Sequence, residues 1–510
     1  MTAPLSVPPI AGHSVRSLLD KCARDTPDAP YLLDADGGQV SFAQARQYAR
    51  SLAGYIAQQG IAPGENVAFA MSNGVETALT VLGSLYGGYL TTAINLVAGQ
   101  DTISYVLEHS QVRLVLYDKN AFDLIRAACS AGDVHPILAE VSLGLFTSAD
   151  CCEQTVKAEA DGLLMYTSGT TGRPKGVVLT QGNLLAGGAN SVLAHELTSH
   201  DRALCVLPLY HINGLCVTLL GPLVSGGSVV IPPKFRVSEF WQTVEKHSCT
   251  WLSLVPTQIS YLLHYAKDAR PMPKVRFARS ASAPLAPDVQ TAFEAAFYIP
   301  IVETMGLTET AAQILSNPLP PGTRKIGSPG IAFGNEVVVA DPLGQEMPRG
   351  EEGEVLIRGP NVMHMYLHNE QATSESLTSD GWLRSGDLGR MDEEGYVFIT
   401  GRLKELIIKG GENIAPREID DVLYSHPDVI EAAAFSLPCP HYGERVEAGV
   451  VLEENSATTG DALVALCVDK VGTFKAPDRV HILNELPKGP SGKIQRIKLA
   501  SLIEGRLEKA

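Results

Sequence analysis

Hydrophobic and polar positions in the first ninety residues predict amphipathic helices around one pair of short strands. Helical spacing runs through residues 14–25 and again through residues 43–60, where Ala45, Tyr48, Leu52 and Ile56 recur on one face. YLLDADGGQVSF, between the two, predicts the strand pair, and residues 75–90 repeat the helical pattern. Further along, helices alternate with short apolar runs, which are LLMY (163–166), GVVLT (176–180), ALCVLPL (203–209), SVVIP (228–232) and TWLSLVP (250–256). This alternation predicts an α/β fold with largely parallel sheets.

The pattern changes near residue 335 and again near residue 401. Between about 335 and 400, hairpin-like pieces such as NEVVVADPLGQEMP and GYVFITG, with DPLG and DEEG as turns, predict a small β-rich, barrel-like subdomain. After residue 401, GRLKELIIKGGENIAPREIDDVL and the apolar runs behind it predict a compact α+β unit. We therefore expect a large N-terminal domain at 1–400, a hinge at 401–404 and a small C-terminal domain at 405–510.

Composition excludes several classes of protein. The 510 residues carry 40 Lys and Arg against 56 Asp and Glu, a net charge of −16, which argues against a nucleic acid or an anionic membrane as partner. A hydrophobic content of 45% indicates a globular core rather than a disordered chain. The nine cysteines form no CxxC pair, and the sequence has no signal-peptide pattern and no apolar run of about 18 residues. We expect a cytoplasmic protein without a membrane span, a disulfide framework or a zinc site.

The stretch from Tyr166 to Gly176 has the composition of an anion-binding loop. It reads YTSGTTGRPKG and lies between two apolar strands. Its glycines let backbone N–H groups approach an anion closely, its hydroxyls add donors, and Lys175 adds a positive charge. The spacing is not that of a Walker A loop, because two residues separate Gly172 from Lys175. By composition alone, the stretch also fits an ordinary solvent-exposed turn.

The string YTSGTTGRPKG resembles the signature of the acyl-adenylate-forming (AMP-binding) enzymes, which include acyl-CoA synthetases, aryl-CoA ligases, nonribosomal adenylation domains and firefly luciferase. Further stretches resemble that family's motifs in the same order, namely PLYH (208–211), ASAP (281–284), MGLTE (305–309), SGDL (385–388), GRLKE (401–405) and PSGKI (490–494). The resemblance covers essentially the whole chain. It implies a large N-terminal domain with two α/β subdomains and a small β-barrel, followed by a small C-terminal domain that swings between two half-reactions.

The resemblance also implies an activity and a set of residues. A carboxylic acid and ATP, with Mg²⁺, would form acyl-AMP and pyrophosphate, and the acyl group would then pass to CoA. Carried over motif by motif, the ATP- or AMP-binding residues are Thr167, Ser168, Gly169, Thr170, Thr171, Lys175, Ser282, Ala283, Glu303, Thr304, Met305, Asp387 and Arg402. The remaining roles fall on Lys493, His211 and Thr308 (catalytic), Glu309 (metal), Lys404 (hinge), and Gly410 and Gly411 (CoA side). Met305 departs from the family pattern, which has an aromatic residue there for stacking on adenine.

The acyl pocket that the resemblance implies contains His211, Asn213, Gly214, Ala281 and Gly306. Its mixture of small and polar residues leads us to expect a small or medium carboxylic acid, aliphatic or cyclic. No basic residue stands beside His211 in the sequence, which argues against a dicarboxylate, although Arg279 could supply a charge.

The acceptor of the acyl group stays open at this point. It is CoA, a carrier protein acting in trans, or an amine, and Lys409, Arg417 and Lys475 are candidates for contacts with the phosphates of CoA. A luciferase-like oxygenase has no positive support. A catalytically inactive nucleotide-binding protein is disfavoured, because Lys175, Glu309, Asp387 and Lys493 are all present.

Overall fold

The computed structural model describes residues 10–142, 155–167, 173–266, 271–489 and 493–507. Ser168, Gly169, Thr170 and Thr171 of the expected phosphate loop lie outside the described residues. Within them, the α-helices are α1 (Val15–Asp25), α2 (Phe42–Gln58), α3 (Val75–Tyr86), α4 (Gln100–His109), α5 (Phe122–Ala131), α6 (Gln181–His195), α7 (Gly221–Ser225), α8 (Val237–Lys246), α9 (Pro256–Tyr265), α10 (Pro287–Phe297), α11 (Glu370–Ser376), α12 (Pro416–Tyr424), α13 (Gly460–Lys475) and α14 (Arg496–Leu507). A π-helix covers Asn213–Leu220, and a short 3₁₀ helix covers Thr308–Thr310. None of these helices is long and apolar enough to cross a bilayer.

Two large sheets organise the chain up to residue 366. The first has nine strands, which are β1 (Pro30–Leu33), β2 (Gln39–Ser41), β9 (Arg202–Cys205), β10 (Ser228–Val230), β11 (Trp251–Leu254), β12 (Phe277–Ser280), β13 (Ile301–Leu307), β14 (Ala312–Ser316) and β15 (Ile331–Ala332). The second has seven, which are β3 (Asn66–Ala70), β4 (Leu90–Ala93), β5 (Leu114–Tyr117), β6 (Ile137–Glu140), β7 (Asp161–Thr167), β8 (Lys175–Thr180) and β18 (Met365–Tyr366). Inner strands pair in parallel and antiparallel strands lie towards the edges, so the predicted α/β fold is confirmed.

The strand order places two of the expected binding stretches after the carboxyl ends of inner strands. The nine-stranded sheet has the order β15-β14-β13-β12-β11-β9-β10-β1-β2, and the seven-stranded sheet has the order β18-β8-β7-β4-β3-β5-β6. In such sheets, ligands bind beyond the carboxyl ends of the parallel strands. The expected phosphate loop follows the end of β7 at Thr167, and the ASAP stretch follows the end of β12 at Ser280.

The helices and strands predicted from the N-terminal pattern are confirmed. Helices α1, α2 and α3 and the β1–β2 pair lie where the spacing placed them, and Ala45, Leu52 and Ile56 are fully buried. The strands β9 and β11 are shorter than their apolar runs. The run at 250–256 stops contributing to the sheet because Pro256 begins α9, a position that proline favours at the first turn of a helix.

The β-rich segment is an open sheet, so the expected barrel-like form was wrong. Its strands are β16 (Glu336–Ala340), β17 (Glu352–Arg358), β19 (Leu383–Met391) and β20 (Val397–Arg402), paired in that order and antiparallel. Four strands are too few to close on themselves around packed side chains. Instead, Val339, Val355 and Val397 pack against Ile314 and Leu315 of β14.

The residues after 406 form a separate sheet that contacts α9. Its strands are β21 (Ile407–Lys409), β22 (Glu412–Ile414), β23 (Val429–Cys439), β24 (Gly443–Leu452) and β25 (Arg479–Ile482). The Ser260 hydroxyl donates to the Ile430 carbonyl at 2.8 Å, and the Lys488 ammonium donates to the Tyr261 hydroxyl at 2.8 Å. These contacts hold the small sheet against the larger part of the chain.

Candidate active site

A cleft opens where the turn after β12, the β19–β20 pair and the C-terminal residues meet. Its lining includes Ser282, Ala283, Asp387, Arg402, Glu405 and Lys493. All of these except Glu405 are candidate site residues from the sequence. Ser282 adopts a φ of 74°, a strained conformation that a non-glycine residue keeps only where its surroundings impose it, and such positions concentrate at functional sites.

Asp387 and Arg402 face each other across the β19–β20 pair. Nε of Arg402 lies 3.1 Å from a carboxylate oxygen of Asp387. Burial raises the pKa of Asp387, while Arg402 and Lys493 act to lower it. The neighbouring cations therefore favour the ionised form, which is the form that accepts hydrogen bonds from hydroxyl groups.

Lys493 enters the same cleft from the segment that precedes α14. Its ammonium lies 3.9 Å from Glu405, and 42% of the side chain is exposed. Burial lowers the pKa of Lys493, Glu405 acts against that shift, and Arg402 and Arg496 add to it. Arg402 pairs with Asp387 and Arg496 with Asp420, each at closer range than Lys493 lies to Glu405. Lys493 therefore has the loosest contact with a carboxylate of these three cations and can turn to an anionic ligand.

Tyr366 brings together the lysine of the expected phosphate loop and the expected metal-binding glutamate. Nζ of Lys175 lies 4.8 Å from the centre of the Tyr366 ring, and the Tyr366 hydroxyl donates to Glu309 at 2.9 Å. Burial raises the pKa of Tyr366, and the Glu309 carboxylate raises it further, so the hydroxyl remains a donor. Thr167 lies opposite Lys175 in the β7–β8 pair, which fixes the two described ends of the loop, and Thr308 directly precedes Glu309.

Three expected nucleotide-binding residues lie on β13, and two of them are buried. Glu303 is 2% exposed and Thr304 is 3% exposed. One oxygen of Glu303 accepts from the Leu285 backbone N–H at 3.2 Å, and Thr304 donates to the Ser280 carbonyl at 3.0 Å. Oε2 of Glu303 is buried without a hydrogen-bond partner among the described residues, and contact of either side chain with a nucleotide stays a prediction.

Met305 and Gly306 follow on the same strand. Met305 is half-buried and packs against the side chains around Ile314 and Val355. A Cβ atom at Gly306 would lie only 1.9 Å from the Ala312 carbonyl oxygen, so a glycine is required for this strand to approach its antiparallel neighbour.

His211 precedes the π-helix that contributes the other side of the expected acyl pocket. Nε2 of His211 is buried without a hydrogen-bond partner among the described residues, and burial lowers its pKa to about 4. The imidazole is therefore neutral near pH 7. Gly214 allows the π-helix to lie against the preceding loop, since a Cβ there would come within 2.3 Å of the Pro208 carbonyl oxygen. Ala281 is buried at the end of β12, and π-helices are frequent at functional sites.

A buried arginine stands behind this pocket. Nη1 of Arg279 donates to Asn213 at 2.7 Å and to Ser253 at 3.2 Å, and Nε donates to Gln313 at 3.2 Å. Asn213 in turn donates to the Ser282 hydroxyl at 3.4 Å, which connects Arg279 to the cleft. The sequence analysis named Arg279 as a residue that could supply a charge to the pocket, and β12 places it beside Asn213 in space.

The expected hinge and CoA-side residues lie apart from the cleft lining. Lys404 is exposed in the turn that follows β20. Gly410 and Gly411 have φ values of 61° and 89° in the turn between β21 and β22, and the Gly410 N–H donates to the Tyr442 carbonyl at 2.8 Å. Neither glycine is in the wall of the cleft that Lys493 enters.

The three cations considered for CoA phosphates all have contacts within the protein. Lys409 lies 3.5 Å from Asp478, and Lys475 donates to Glu418 at 2.8 Å. Arg417 donates to the Ile399 carbonyl at 2.7 Å, which ties α12 to β20. A CoA phosphate would have to compete with these partners.

Sequence reasoning did not single out Tyr366 or Glu405 as site residues. Tyr366 lies in the stretch NVMHMYLHN, which carries no motif, and its partner Glu309 is 57 positions away. Glu405 stands inside the GRLKE stretch, and that position in the sequence was a signal for it.

The chain matches two family models and has relatives of nearly equal length. The model for "AMP-binding enzyme" matches residues 19–367, and that for "AMP-binding enzyme C-terminal domain" matches residues 418–493. Sulfoacetate–CoA ligase of Cupriavidus necator is 46% identical over 95% of this chain and 97% of its own. Oxalate–CoA ligase of Arabidopsis thaliana is 35% identical over 95% of this chain and 97% of its own.

Solved structures agree with the fold over almost the whole chain. ATP-bound MatB from Rhodopseudomonas palustris, 28% identical, gives a TM-score of 0.88 over 96% of this chain and 99% of that chain. MatB from the same organism without ligand, also 28% identical, gives a TM-score of 0.76 over 97% of this chain and 99% of that chain. O-succinylbenzoate CoA synthetase from Bacillus subtilis with ATP and magnesium ion, 30% identical, gives a TM-score of 0.83 over 94% of this chain and 98% of that chain. By TM-score, the structure of this chain is more similar to the ATP-bound form of MatB than to its ligand-free form.

Proposed function

We propose that this chain, which belongs to the AMP-binding enzyme family, activates a carboxylic acid as its acyl-adenylate and then transfers the acyl group to CoA. The prediction of an AMP-forming acid:CoA ligase that uses ATP, Mg²⁺ and CoA is confirmed by the CoA ligases and the ATP-bound structures that it resembles. The assignment of individual residues rests mainly on one observation. Lys493, from the C-terminal part of the chain, shares a cleft with Asp387 and Arg402.

Lys493 is proposed as the catalytic cation of the first half-reaction. A carboxylate oxygen attacks the α-phosphorus of ATP, and the bond from that phosphorus to the pyrophosphate oxygen breaks. Two anions must approach each other, so a positive charge between them lowers the barrier most where negative charge develops. The Lys493 ammonium is held 3.9 Å from Glu405 and has enough exposed surface to reach a ligand in the cleft. Thr308 adds a hydroxyl donor for the α-phosphate.

Lys175 and Thr167 would hold the β- and γ-phosphates together with the loop residues between them. Glu309 fits a Mg²⁺ ion, because one oxygen is fixed by Tyr366 and the carboxylate is a hard ligand that this ion prefers. No group of three His, Cys, Asp or Glu suited to a metal occurs within the described ranges, so Glu309 is proposed to hold the ion together with phosphate oxygens. Bound Mg²⁺ would neutralise part of the phosphate charge.

The nucleoside and the acid would lie on opposite sides of Lys493. Asp387 is proposed to accept hydrogen bonds from the ribose hydroxyls, with Arg402 holding its carboxylate in place. Neutral His211, whose Nε2 has no partner in the described residues, is available to bond the reacting carboxylate. The adenine would lie along Ser282, Ala283, Glu303, Thr304 and Met305, and the acyl chain against Asn213, Gly214, Ala281 and Gly306.

The second half-reaction requires a different face of the C-terminal residues. The Gly410-Gly411 turn lies outside the cleft wall, so it reaches the adenylate only if residues 405–510 rotate against residues 1–400. We propose Lys404 as the hinge, since it is exposed in a turn and can change its backbone angles without losing packing. The higher TM-score with ATP-bound than with ligand-free MatB supports an adenylation arrangement here.

The test is acid-dependent pyrophosphate release with ATP and Mg²⁺ across a panel of carboxylic acids, with and without CoA. We expect release to depend on the acid, CoA to accelerate turnover, and a thioester to be detected by mass. Release that stops near one turnover and ignores CoA would leave adenylation intact but point to a carrier protein or an amine as acceptor. No release with any acid would refute the proposal.

A further inference from the structure

A positive charge is buried behind the acyl pocket without a carboxylate to balance it. Arg279 is 2% exposed, and no Asp or Glu in the part of the chain that the structure describes forms an ion pair with it. Burial lowers its pKa to about 9, with no opposing carboxylate. A buried charge without a counter-charge is costly, and proteins retain one chiefly where a ligand or a partner completes it.

The hydrogen bonds of Arg279 leave one nitrogen of the guanidinium, Nη2, without an acceptor among the described residues. Nε and Nη1 donate to Asn213, Ser253 and Gln313, which are neutral acceptors. The N–H donors of Nη2 therefore remain available for a charge-assisted hydrogen bond to an oxygen of a carboxylate or a sulfonate.

One side chain connects Arg279 to the wall of the cleft. Asn213 bonds Arg279 on one side and Ser282, in the cleft wall, on the other. It also lies two residues after His211, whose Nε2 is likewise buried without a partner in the described ranges. Arg279 is thus separated from Ser282 in the cleft wall by one amide side chain, so an acid that reaches both the cleft and Arg279 must be short.

We propose that Arg279 determines substrate specificity by binding a second anionic group of the acid, so that this enzyme activates short carboxylic acids that carry a further carboxylate or sulfonate. The inference rests on the proposed function and names its substrate class. The reacting carboxylate lies toward Lys493 and His211, and the second anionic group accepts from Nη2 of Arg279. A neutral acid of equal size leaves Arg279 unbalanced and is rejected for that reason.

The experiment compares acids of matched size with and without the second charge. Sulfoacetate and malonate form the charged pair, and butanoate and monomethyl malonate form the controls. Pyrophosphate release is measured for the unaltered protein, for Arg279→Met and Arg279→Lys, and for Arg276→Met. Arg276 is the matched control, because it is paired with Asp201 at 2.7 Å and makes no contact with Asn213 or Gln313.

We expect the unaltered protein to favour the charged acids by about 100-fold in kcat/KM, the scale of a charge-assisted hydrogen bond to a buried group. Arg279→Met should remove most of that preference, so that the ratio of kcat/KM between charged and control acids falls towards one. Arg279→Lys should restore part of it, and Arg276→Met should change neither ratio. The ratio between two acids does not depend on how much of a variant is folded.

Two results would overturn the inference while the proposed function stands. One is a preference of the unaltered protein for butanoate over both charged acids. The other is a loss in Arg279→Met that is equal for charged and control acids, which would mean that Arg279 only supports the fold. Sulfoacetate and malonate separate sulfonate from carboxylate recognition. If neither the four acids nor any acid of the wider panel supports pyrophosphate release, the proposed function and this inference both fail.

Discussion

Replacing Lys493 by alanine separates the two half-reactions. The side chain enters the cleft next to Asp387 and Glu405 but lies far along the chain from the Gly410-Gly411 turn. If Lys493 acts only when the carboxylate meets the α-phosphate, its loss slows adenylation. Transfer from preformed acyl-AMP to CoA should continue, because it uses the other face of the C-terminal residues.

The size of the effect follows from the position of the charge. A unit charge about 4 Å from an anion contributes about 4 kcal/mol at an effective dielectric constant of about 20. Because 42% of the Lys493 side chain is exposed, solvent screening lowers the expected contribution to about 3 kcal/mol. That corresponds to a decrease of about 100-fold in the rate of adenylation.

Two assays on the same preparation test this reasoning. Acid-dependent pyrophosphate release reports the first half-reaction, and thioester formation from supplied acyl-AMP and CoA reports the second. Lys498→Ala is the control, since Lys498 is an exposed lysine five residues further on. Equal losses in both assays would refute the assignment of Lys493 to adenylation, as would an unchanged rate of pyrophosphate release.

Three further predictions concern the support of the site. Tyr366→Phe removes the hydroxyl that fixes Glu309. We expect Mg²⁺ to bind more weakly, so that the Mg²⁺ concentration for half-maximal adenylation rises about tenfold. His195 is buried and its pKa is lowered to about 3, so the unfolded chain binds its proton first as pH falls below about 6.5. Keeping His195 neutral should therefore lower the free energy of unfolding by about 2 kcal/mol between pH 7 and pH 5. The His195→Gln protein should lack that part of the pH dependence when unfolding is measured by urea titration. Gly306→Ala places a methyl group against the Ala312 carbonyl and should lower the free energy of unfolding by about 3 kcal/mol in the same titration.

The Tyr366 and Gly306 predictions each have a matched control. Tyr396→Phe removes a hydroxyl that bonds the Thr323 carbonyl, away from Glu309, and should leave the Mg²⁺ response unchanged. Gly221→Ala meets no atom within 4 Å and should not destabilise the protein. A Tyr366→Phe enzyme with normal Mg²⁺ dependence, a His195→Gln protein with the original pH slope, or a stable Gly306→Ala protein would contradict the corresponding argument.

Much of the fold was predictable because its signals are local. The helices α1 to α3 follow from apolar residues at helical spacing, and the parallel strands follow from short apolar runs between helices. The barrel-like form of residues 335–400 was not predictable in the same way. Hairpin patterns indicate which strands are antiparallel, but whether the edge strands meet depends on what covers the sheet, here β14.

The sequence by itself determined the type of chemistry, since the residues that mark it are contiguous. The stretch from Tyr166 to Gly176 and the other family-like motifs keep their order regardless of how the chain folds. Only the tertiary structure decided which side chains stand beside them. The contact of Tyr366 with Glu309 spans 57 positions and that of Arg279 with Asn213 spans 66, and such pairs depend on strand order and register. A pattern of neighbouring residues carries no information about either, because long-range packing sets them.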